Sequence, residues 1–401
     1  MPVGINSYIL SNNLLFVWSQ LNLVTAVIQS CKGHETMAVE KIRVGIIGAN
    51  VGYGWTPRSH APAIAEMPNV EFAAVCTSRE ETAKESADTY GVPLAFSNHK
   101  EMLEKADLDV VAVVVRVPKH YDLAMDVLKS GQNIYTEWPL GANLKEAEEL
   151  TSFAKEKKLI TMVGLQSRAA PIFMYLRDLI QENHIGEVLS ASLRQFSSGV
   201  LSRPPGRTWQ KDVELGATTL TIPFGHSIDA LCMCLGEFAS VSGNVSTKVP
   251  QWHEQETNRV VEVSSPDTIM INGTLKSGAA ISAHVSAIPY HGSGYKFEIY
   301  GAEGTLVVTS NDAPSTGSSK LWHGKSGESD LVELEIPENY TKVPSSVPLG
   351  PPFNIAQLWD RFADGIKSNT EFEPSFSTAL TRHKLIDAIQ KSSDTGTTQE
   401  L

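Results

Sequence analysis

From Ile42 onward the chain alternates compact apolar runs with amphipathic stretches. IRVGIIG (Ile42 to Gly48), PNVEFAAVCT (Pro68 to Thr77) and DVVAVVV (Asp109 to Val115) have the length and β-branched content of buried strands. Between them, REETAKESADTYG and HYDLAMDVLKSG read as helices, the second stopped by Gly131. After Pro139 a helix opens at Asn143, with Glu146 three residues on as in a capping box and Leu144, Ala147, Leu150 and Ala154 on one face. LITMVG (Leu159 to Gly164) adds another strand. Strands alternating with helices predict right-handed crossovers and a doubly wound parallel sheet covered on both faces.

The second half has a different rhythm. TIMINGTLKSGAAISAHVSA and YKFEIYGAEGTLVVTS alternate polar and apolar residues around glycine turns, as antiparallel strands packed on one face do. NDAPSTGSSK and YTKVPSSVPLGPPF read as loops. After Pro374 helical spacing returns, with Leu380, Leu385, Ile386 and Ile389 as a core stripe.

Composition narrows the function. A chain of 401 residues with 42% hydrophobic content makes two domains with a large core. A formal net charge of -12 and no Lys/Arg run exclude direct nucleic-acid binding. The four cysteines are Cys31, Cys76, Cys232 and Cys234; Cys232-Met233-Cys234 lacks a second Cys/His pair, so neither a metal site nor a disulfide framework is expected. Residues 1–36 lack a basic signal-peptide start and the run of about 18 apolar residues that spans a membrane. They read as a disordered or adventitious extension, with Met37 an alternative start and a cytoplasmic location the default.

The turn after the first strand carries Gly48, Asn50, Gly52 and Gly54, close to a dinucleotide fingerprint with Asn50 at its second glycine. Asparagine adopts left-handed geometry readily enough to keep such a turn feasible. The second strand ends in Thr77-Ser78-Arg79 rather than in an acid, which favours the 2′-phosphate of NADP over the free ribose of NAD.

VGIIGAN, VVVRVPKHYDLAMDVLKSGQNIYTEWPL, GEVLSASL, GHSIDAL, YGAEGTLVV and ALTRHKLIDAIQKSSDTG occur in an order that resembles the glucose-fructose oxidoreductase / inositol dehydrogenase / MocA family. The resemblance implies a Rossmann domain over 37–165. It implies an α+β domain over 166–401 with a large, open, mostly antiparallel sheet, its last helix packing back on the first domain. It further implies a sugar- or polyol-like substrate and a homo-oligomer, a dimer, formed through that sheet. Two positions depart from the family pattern: Trp138 of Glu137-Trp138-Pro139 stands where a lysine is usual, and Ile222 where an aspartate precedes the histidine. Both departures resemble the branch of the fungal galactose-pathway repressor. The branch likeness extends to Asn50, Gly54-Trp55, His120-Tyr121, Leu165, Gln166, Arg168, Pro171 and Phe224 to Asp229. That branch implies a dinucleotide-binding regulator with a protein partner.

The cofactor-binding candidates are therefore Gly48, Asn50, Gly52, Gly54, Trp55, Ser78, Arg79, His120, Glu137, Trp138 and Gln166. The catalytic candidates are His226, Lys211 and Arg168. His226, one helical turn before Asp229, reads as a general acid/base or as a satisfied interior histidine. Gln166 and Arg168 read as a clamp on substrate or nicotinamide, or as a packing salt bridge. Lys211 and Arg207 would replace the lost cation, or are solvated loop charges; Tyr290 and His291 at a turn would donate protons. Trp138 either stacks on the cofactor or fills the vacated volume. Two functions follow: an NAD(P)-dependent oxidoreductase, or a catalytically silent dinucleotide-responsive regulator.

Overall fold

Six short apolar strands build the first sheet: β1 (Ile42–Ile47), β2 (Val70–Cys76), β3 (Leu94–Phe96), β4 (Val110–Val113), β5 (Asn133–Glu137) and β6 (Thr161–Gly164). They run parallel in the order β3-β2-β1-β4-β5-β6. The computed structural model describes residues 1, 41–314 and 318–401, so the expectations for 1–36, Met37 and Cys31 lie outside the described residues. The connecting helices are α1 (His60–Glu66), α2 (Glu80–Tyr90), α3 (His99–Lys105), α4 (His120–Lys129) and α5 (Leu144–Lys157). Asn143 caps α5 by accepting from the Glu146 amide at 3.0 Å, while the Glu146 carboxylate turns back to the Ala142 amide at 2.7 Å.

One face of this sheet is covered from far along the chain. The proline-rich stretch read as a loop ends at Gly350, and Pro351–Ser368 forms helix α8 with its prolines in the first turn, where no amide bond is lost. Ile355, Trp359 and Phe362 of α8 join Val44, Ile46, Val110, Ala112 and Tyr135 in one core cluster. On the other face Ile47, Val111, Val113 and Ile134 pack with Ala124 and Val127 of α4 and Leu150 of α5.

The second sheet has nine strands in the order β17-β16-β15-β14-β7-β13-β12-β9-β18. Its strands are β7 (Val188–Ser198), β9 (Phe238–Ser246), β12 (Thr268–Leu275), β13 (Ala280–Ile288), β14 (Gly294–Gly301), β15 (Gly304–Ser310), β16 (Ser319–Lys325), β17 (Val332–Leu334) and β18 (Gln399–Glu400). Pairing is antiparallel except between β7 and β13, which connect through distant parts of the chain. Leu193, Ile271, Val285, Phe297 and Leu306 are buried in the core shared with α6 (Pro171–Gln181), α7 (Gly225–Leu235) and α9 (Phe376–Thr395). The opposite face carries Arg194, Met270, Asn272, Glu298 and Tyr300, the polar half of the alternation. Helix α9 also reaches the first sheet, where the Phe376 amide donates to Thr161 Oγ1 at 3.0 Å.

A third, small sheet pairs β8 (Ser202–Arg203), β10 (Gln251–Glu254) and β11 (Val260–Glu262) beside a 3-10 stretch, Pro205–Lys211. Among the described residues, no helix is long and apolar enough to cross a membrane and no cluster of metal-ligating side chains occurs. Cys76, Cys232 and Cys234 are free and buried; burial pushes the thiols of Cys76 and Cys232 up to about 12.

Candidate dinucleotide and substrate site

The strand order reverses between β1 and β4, so the segments following these two strands are the lips of a crevice. Gly48 has φ +97°, and a Cβ there would lie 2.1 Å from the Val114 carbonyl oxygen, so only glycine lets the lips approach. Gly54 has φ +99°, and a Cβ added at Gly52 or Gly54 meets nothing within 4 Å: the backbone lies open to an incoming group. The turn is fastened by Thr56 Oγ1, which donates to the Gly48 carbonyl at 3.0 Å, and by Tyr90, whose hydroxyl donates to the Asn50 carbonyl at 3.0 Å. Left-handed backbone at this turn falls on Gly48 and Gly54, so the turn forms without drawing on the left-handed tolerance of Asn50. A 3-10 turn, Thr56–Arg58, with Trp55 as its N-cap, separates the glycines from α1. These residues fit a dinucleotide pyrophosphate. Ser78 and Arg79 are exposed just beyond β2, and the Arg79 guanidinium has no ion-pair partner among the described residues.

At the end of β5, Glu137 is held from both sides. His60 donates from Nε2 to Oε1 at 2.7 Å, and Gln166 donates from Nε2 to Oε2 at 3.0 Å. The Trp359 indole, which can only donate, reaches His60 Nδ1 at 3.1 Å; this fixes the proton of His60 on the nitrogen facing Glu137. Gly164 of β6 makes room, since a Cβ there would stand 2.4 Å from Glu137 Oε2. His60 is fully buried, while the Glu137 side chain keeps 12% exposure.

Three sequence-derived site residues prove to be interior ties. Trp138, 4% exposed, donates from its indole to the Thr221 carbonyl at 2.7 Å and packs against His383 with ring centroids 4.9 Å apart. Thr221 and Ile222 lie in a π-helical turn, Leu220–Phe224, that leads into α7. A Cβ at Gly225 would come within 2.7 Å of the Trp138 indole nitrogen. The indole therefore fills the interior rather than presenting a face to a cofactor. His120, 1% exposed, lies between two strand ends, with Nδ1 2.7 Å from the Pro139 carbonyl and Nε2 3.0 Å from that of Val115; the neutral ring donates to one of the two. Arg168 makes a bidentate pair with Asp229, both bonds 2.9 Å, and bonds Glu373 at 2.5 Å. Arg382 adds a bond to Asp229 at 3.2 Å and bridges to Glu237 at 2.8 Å. Arg168 and Asp229 thus belong to a buried ion network, and Asp229 is engaged there instead of orienting His226.

His226 sits in the first turn of α7, half-buried, with Nδ1 lacking any hydrogen-bond partner. Burial lowers its pKa, and the charges of Glu137 and Asp229 partly offset this. Lys211 and Arg207 are exposed on Pro205–Lys211, and Tyr290 and His291 are exposed beyond β13. Among the described residues, no hydrogen bond brings any of these four side chains to His226.

The sequence reading missed His60, Tyr53, Arg116 and Trp209. Arg116, directly after the predicted run Asp109 to Val115, stands 5.2 Å over the Tyr53 ring and 5.6 Å over that of Trp209, measured from Cζ to centroid. Arginine directly after a buried strand was the available signal; its aromatic partners come from distant segments.

Comparison with known proteins accords with this geometry. Residues 42–165 match the oxidoreductase family with an NAD-binding Rossmann fold, GFO_IDH_MocA, and residues 171–310 match the Gal80p C-terminal domain. The chain is 27% identical over 373 residues to dehydrogenase aclE of Aspergillus oryzae, covering 89% of this chain and 97% of that protein. It is 23% identical over 407 residues to the galactose/lactose metabolism regulatory protein GAL80 of Saccharomyces cerevisiae, covering 89% and 94%. Among solved structures, a super-repressor mutant of Gal80p from S. cerevisiae superposes with a TM-score of 0.80 at 22% identity, covering 90% of this chain and 98% of that one. Levoglucosan dehydrogenase in complex with NADH and levoglucosan gives 0.79 at 21%, covering 90% and 99%. The six-stranded parallel sheet thus falls in the stretch that matches the Gfo/Idh/MocA oxidoreductase family's NAD-binding Rossmann fold, and most of the nine-stranded sheet in the stretch that matches the Gal80p C-terminal domain, so the chain resembles that family with a Gal80p-like second half.

Proposed function

We propose that the protein is an NAD(P)-dependent oxidoreductase that moves hydride between the nicotinamide and a sugar, polyol or other small hydroxy or carbonyl compound. The observation that carries this reading is His226, an unengaged, half-buried imidazole in the field of Glu137. Gly48, Asn50, Gly52, Gly54 and Trp55 would hold the pyrophosphate segment. Ser78 and Arg79 would take a 2′-phosphate, so NADP is preferred to NAD. Bound there, the dinucleotide supplies or accepts the hydride.

In the oxidising direction His226, neutral because burial lowers its pKa, takes the proton of the substrate hydroxyl as the hydride leaves carbon. Glu137, held in place by His60 and Gln166, stabilises the imidazolium that forms. In the reducing direction the same imidazole returns the proton. The dinucleotide is assigned to 37–165, and the substrate and a homodimer contact to 166–401, in a cytoplasmic protein. Two dehydrogenase relatives, matched over 97% and 74% of their own lengths, support the small-molecule reading.

A second reading has its own support. Trp138 removes the usual cation and Ile222 the usual acid, and a regulatory protein of galactose/lactose metabolism is among the relatives, which supports a catalytically silent regulator. The test is a panel of sugars, polyols and keto compounds with NADP or NAD, following reduced-cofactor absorbance in both directions. Turnover lost in His226→Ala with unchanged dinucleotide affinity supports the enzyme. Dinucleotide binding without turnover across the panel supports the regulator.

A further inference from the structure

The crevice between β1 and β4 is bridged by side chains from both of its lips. Arg116, after β4, donates its Nε–H to the Tyr53 hydroxyl at 2.7 Å. Tyr53, in the glycine turn, donates in its turn to the Gly206 carbonyl at 3.2 Å, which fastens the Pro205–Lys211 stretch to the bridge. Trp209 of that stretch covers the guanidinium from a further side. Gly206 packs closely here: a Cβ would stand 3.2 Å from the Tyr53 ring.

Two groups in this cluster lack the partners their chemistry calls for. No carboxylate forms an ion pair with Arg116 among the described residues, and the buried Trp209 Nε1 has no acceptor. Cation–π contacts hold the guanidinium in place and leave most of its N–H donors free. An arginine so held, at the point where strand order reverses and beside glycine backbone open to solvent, matches a phosphate pair in both charge and planar geometry.

We propose that Arg116, carried by Tyr53 and Trp209, is a clasp that closes over the bound dinucleotide and contacts its pyrophosphate. The clasp rests on the dinucleotide reading above and assigns a contact outside the glycine turn. An acidic substrate would offer Arg116 the same anionic chemistry, and the test separates the two sources.

The experiment is equilibrium binding to the full chain, with no turnover required. NADH, ADP-ribose (pyrophosphate without nicotinamide) and AMP (no pyrophosphate) are titrated by calorimetry into the wild type, Arg116→Gln, Arg116→Lys and Tyr53→Phe. Arg116→Gln is expected to weaken NADH and ADP-ribose about tenfold, equivalent to about 1.4 kcal/mol, and AMP less than about twofold. Arg116→Lys keeps part of the affinity, and Tyr53→Phe speeds NADH dissociation. Equal ADP-ribose affinity in wild type and Arg116→Gln overturns the clasp. So does equal weakening of AMP and ADP-ribose, or an effect of Arg116→Gln seen only with carboxylate-bearing substrates, which would assign the residue to the substrate. A wild type that binds none of NADH, ADP-ribose and NADPH, the last titrated alongside because NADP is the preferred cofactor, overturns the dinucleotide reading itself, a distinct result. Should Arg116→Gln fail to fold, Arg116→Lys and Tyr53→Phe carry the same comparison.

Discussion

The indole N–H of Trp138 donates to the carbonyl oxygen of Thr221 at 2.7 Å, tying the end of β5 to the π-turn before α7. Gly225 leaves the space that the indole fills. Gly225→Ala is therefore expected to destabilise the fold by about 1–3 kcal/mol through overpacking. Trp138→Leu alone costs about 2–4 kcal/mol, from lost packing and an unpaired carbonyl. Because Leu frees the space an alanine methyl needs, the double variant costs less than the sum. Urea unfolding of the four proteins measures this coupling; strict additivity would mean that the two residues do not share the space.

Asp229 is buried between two guanidiniums, Arg168 and Arg382, which hold its carboxyl below the usual range against the opposing effect of burial. Asp229→Asn leaves two buried cations short of a partner and is expected to cost about 3–5 kcal/mol. Dinucleotide affinity of the folded variant should stay close to wild type, because the network lies behind the crevice rather than on its lips. A large loss of affinity at unchanged stability would return Arg168 to the site.

His383 packs on Trp138 with its Nε2 unpartnered, and burial lowers its pKa to about 4. The unfolded chain, with histidine near 6.5, binds this proton first, so protonation favours unfolding. Stability should fall as pH drops from about 6.5 toward about 4, by at most about 1.4 kcal/mol per pH unit for this residue. His120 and His226, also lowered by burial, tilt the curve the same way. Urea midpoints across this range should decline less steeply in His383→Gln than in the wild type.

Cofactor choice turns on Arg79. Arg79→Gln should weaken NADP binding about tenfold and leave NAD nearly unchanged, since only the 2′-phosphate meets the missing charge. Parallel titrations with the two dinucleotides decide this. Equal losses for both would place Arg79 elsewhere than at the 2′ position.

The first sheet was legible because its signals are local. The apolar runs of β1, β2 and β4, the Gly131 stop after α4 and the Asn143 cap of α5 all act within a few residues. Helix α8 was hidden because Pro351 and Pro352 look like loop residues, although at a helix's first turn they cost nothing. The strand order of the second sheet was not legible, since β7 pairs in parallel with β13 across a long separation. The roles of the site residues diverge for the same reason. The Arg168 partner Asp229 is 61 positions away, and Tyr53 precedes Arg116 by 63, so neither pairing leaves a trace in local spacing.

The bond from Trp359 to His60 spans 299 positions and has a consequence for biosynthesis. When the strands of the first sheet have left the ribosome, the face bearing Val44, Ile46 and Ala112 still lacks α8. The nascent nucleotide-binding half must wait, apolar face uncovered, until nearly the whole chain has been translated. A fragment ending before Pro351 would be aggregation-prone rather than a working nucleotide binder. The chain thus commits to its native state only when its last eighth, from Pro351 on, arrives.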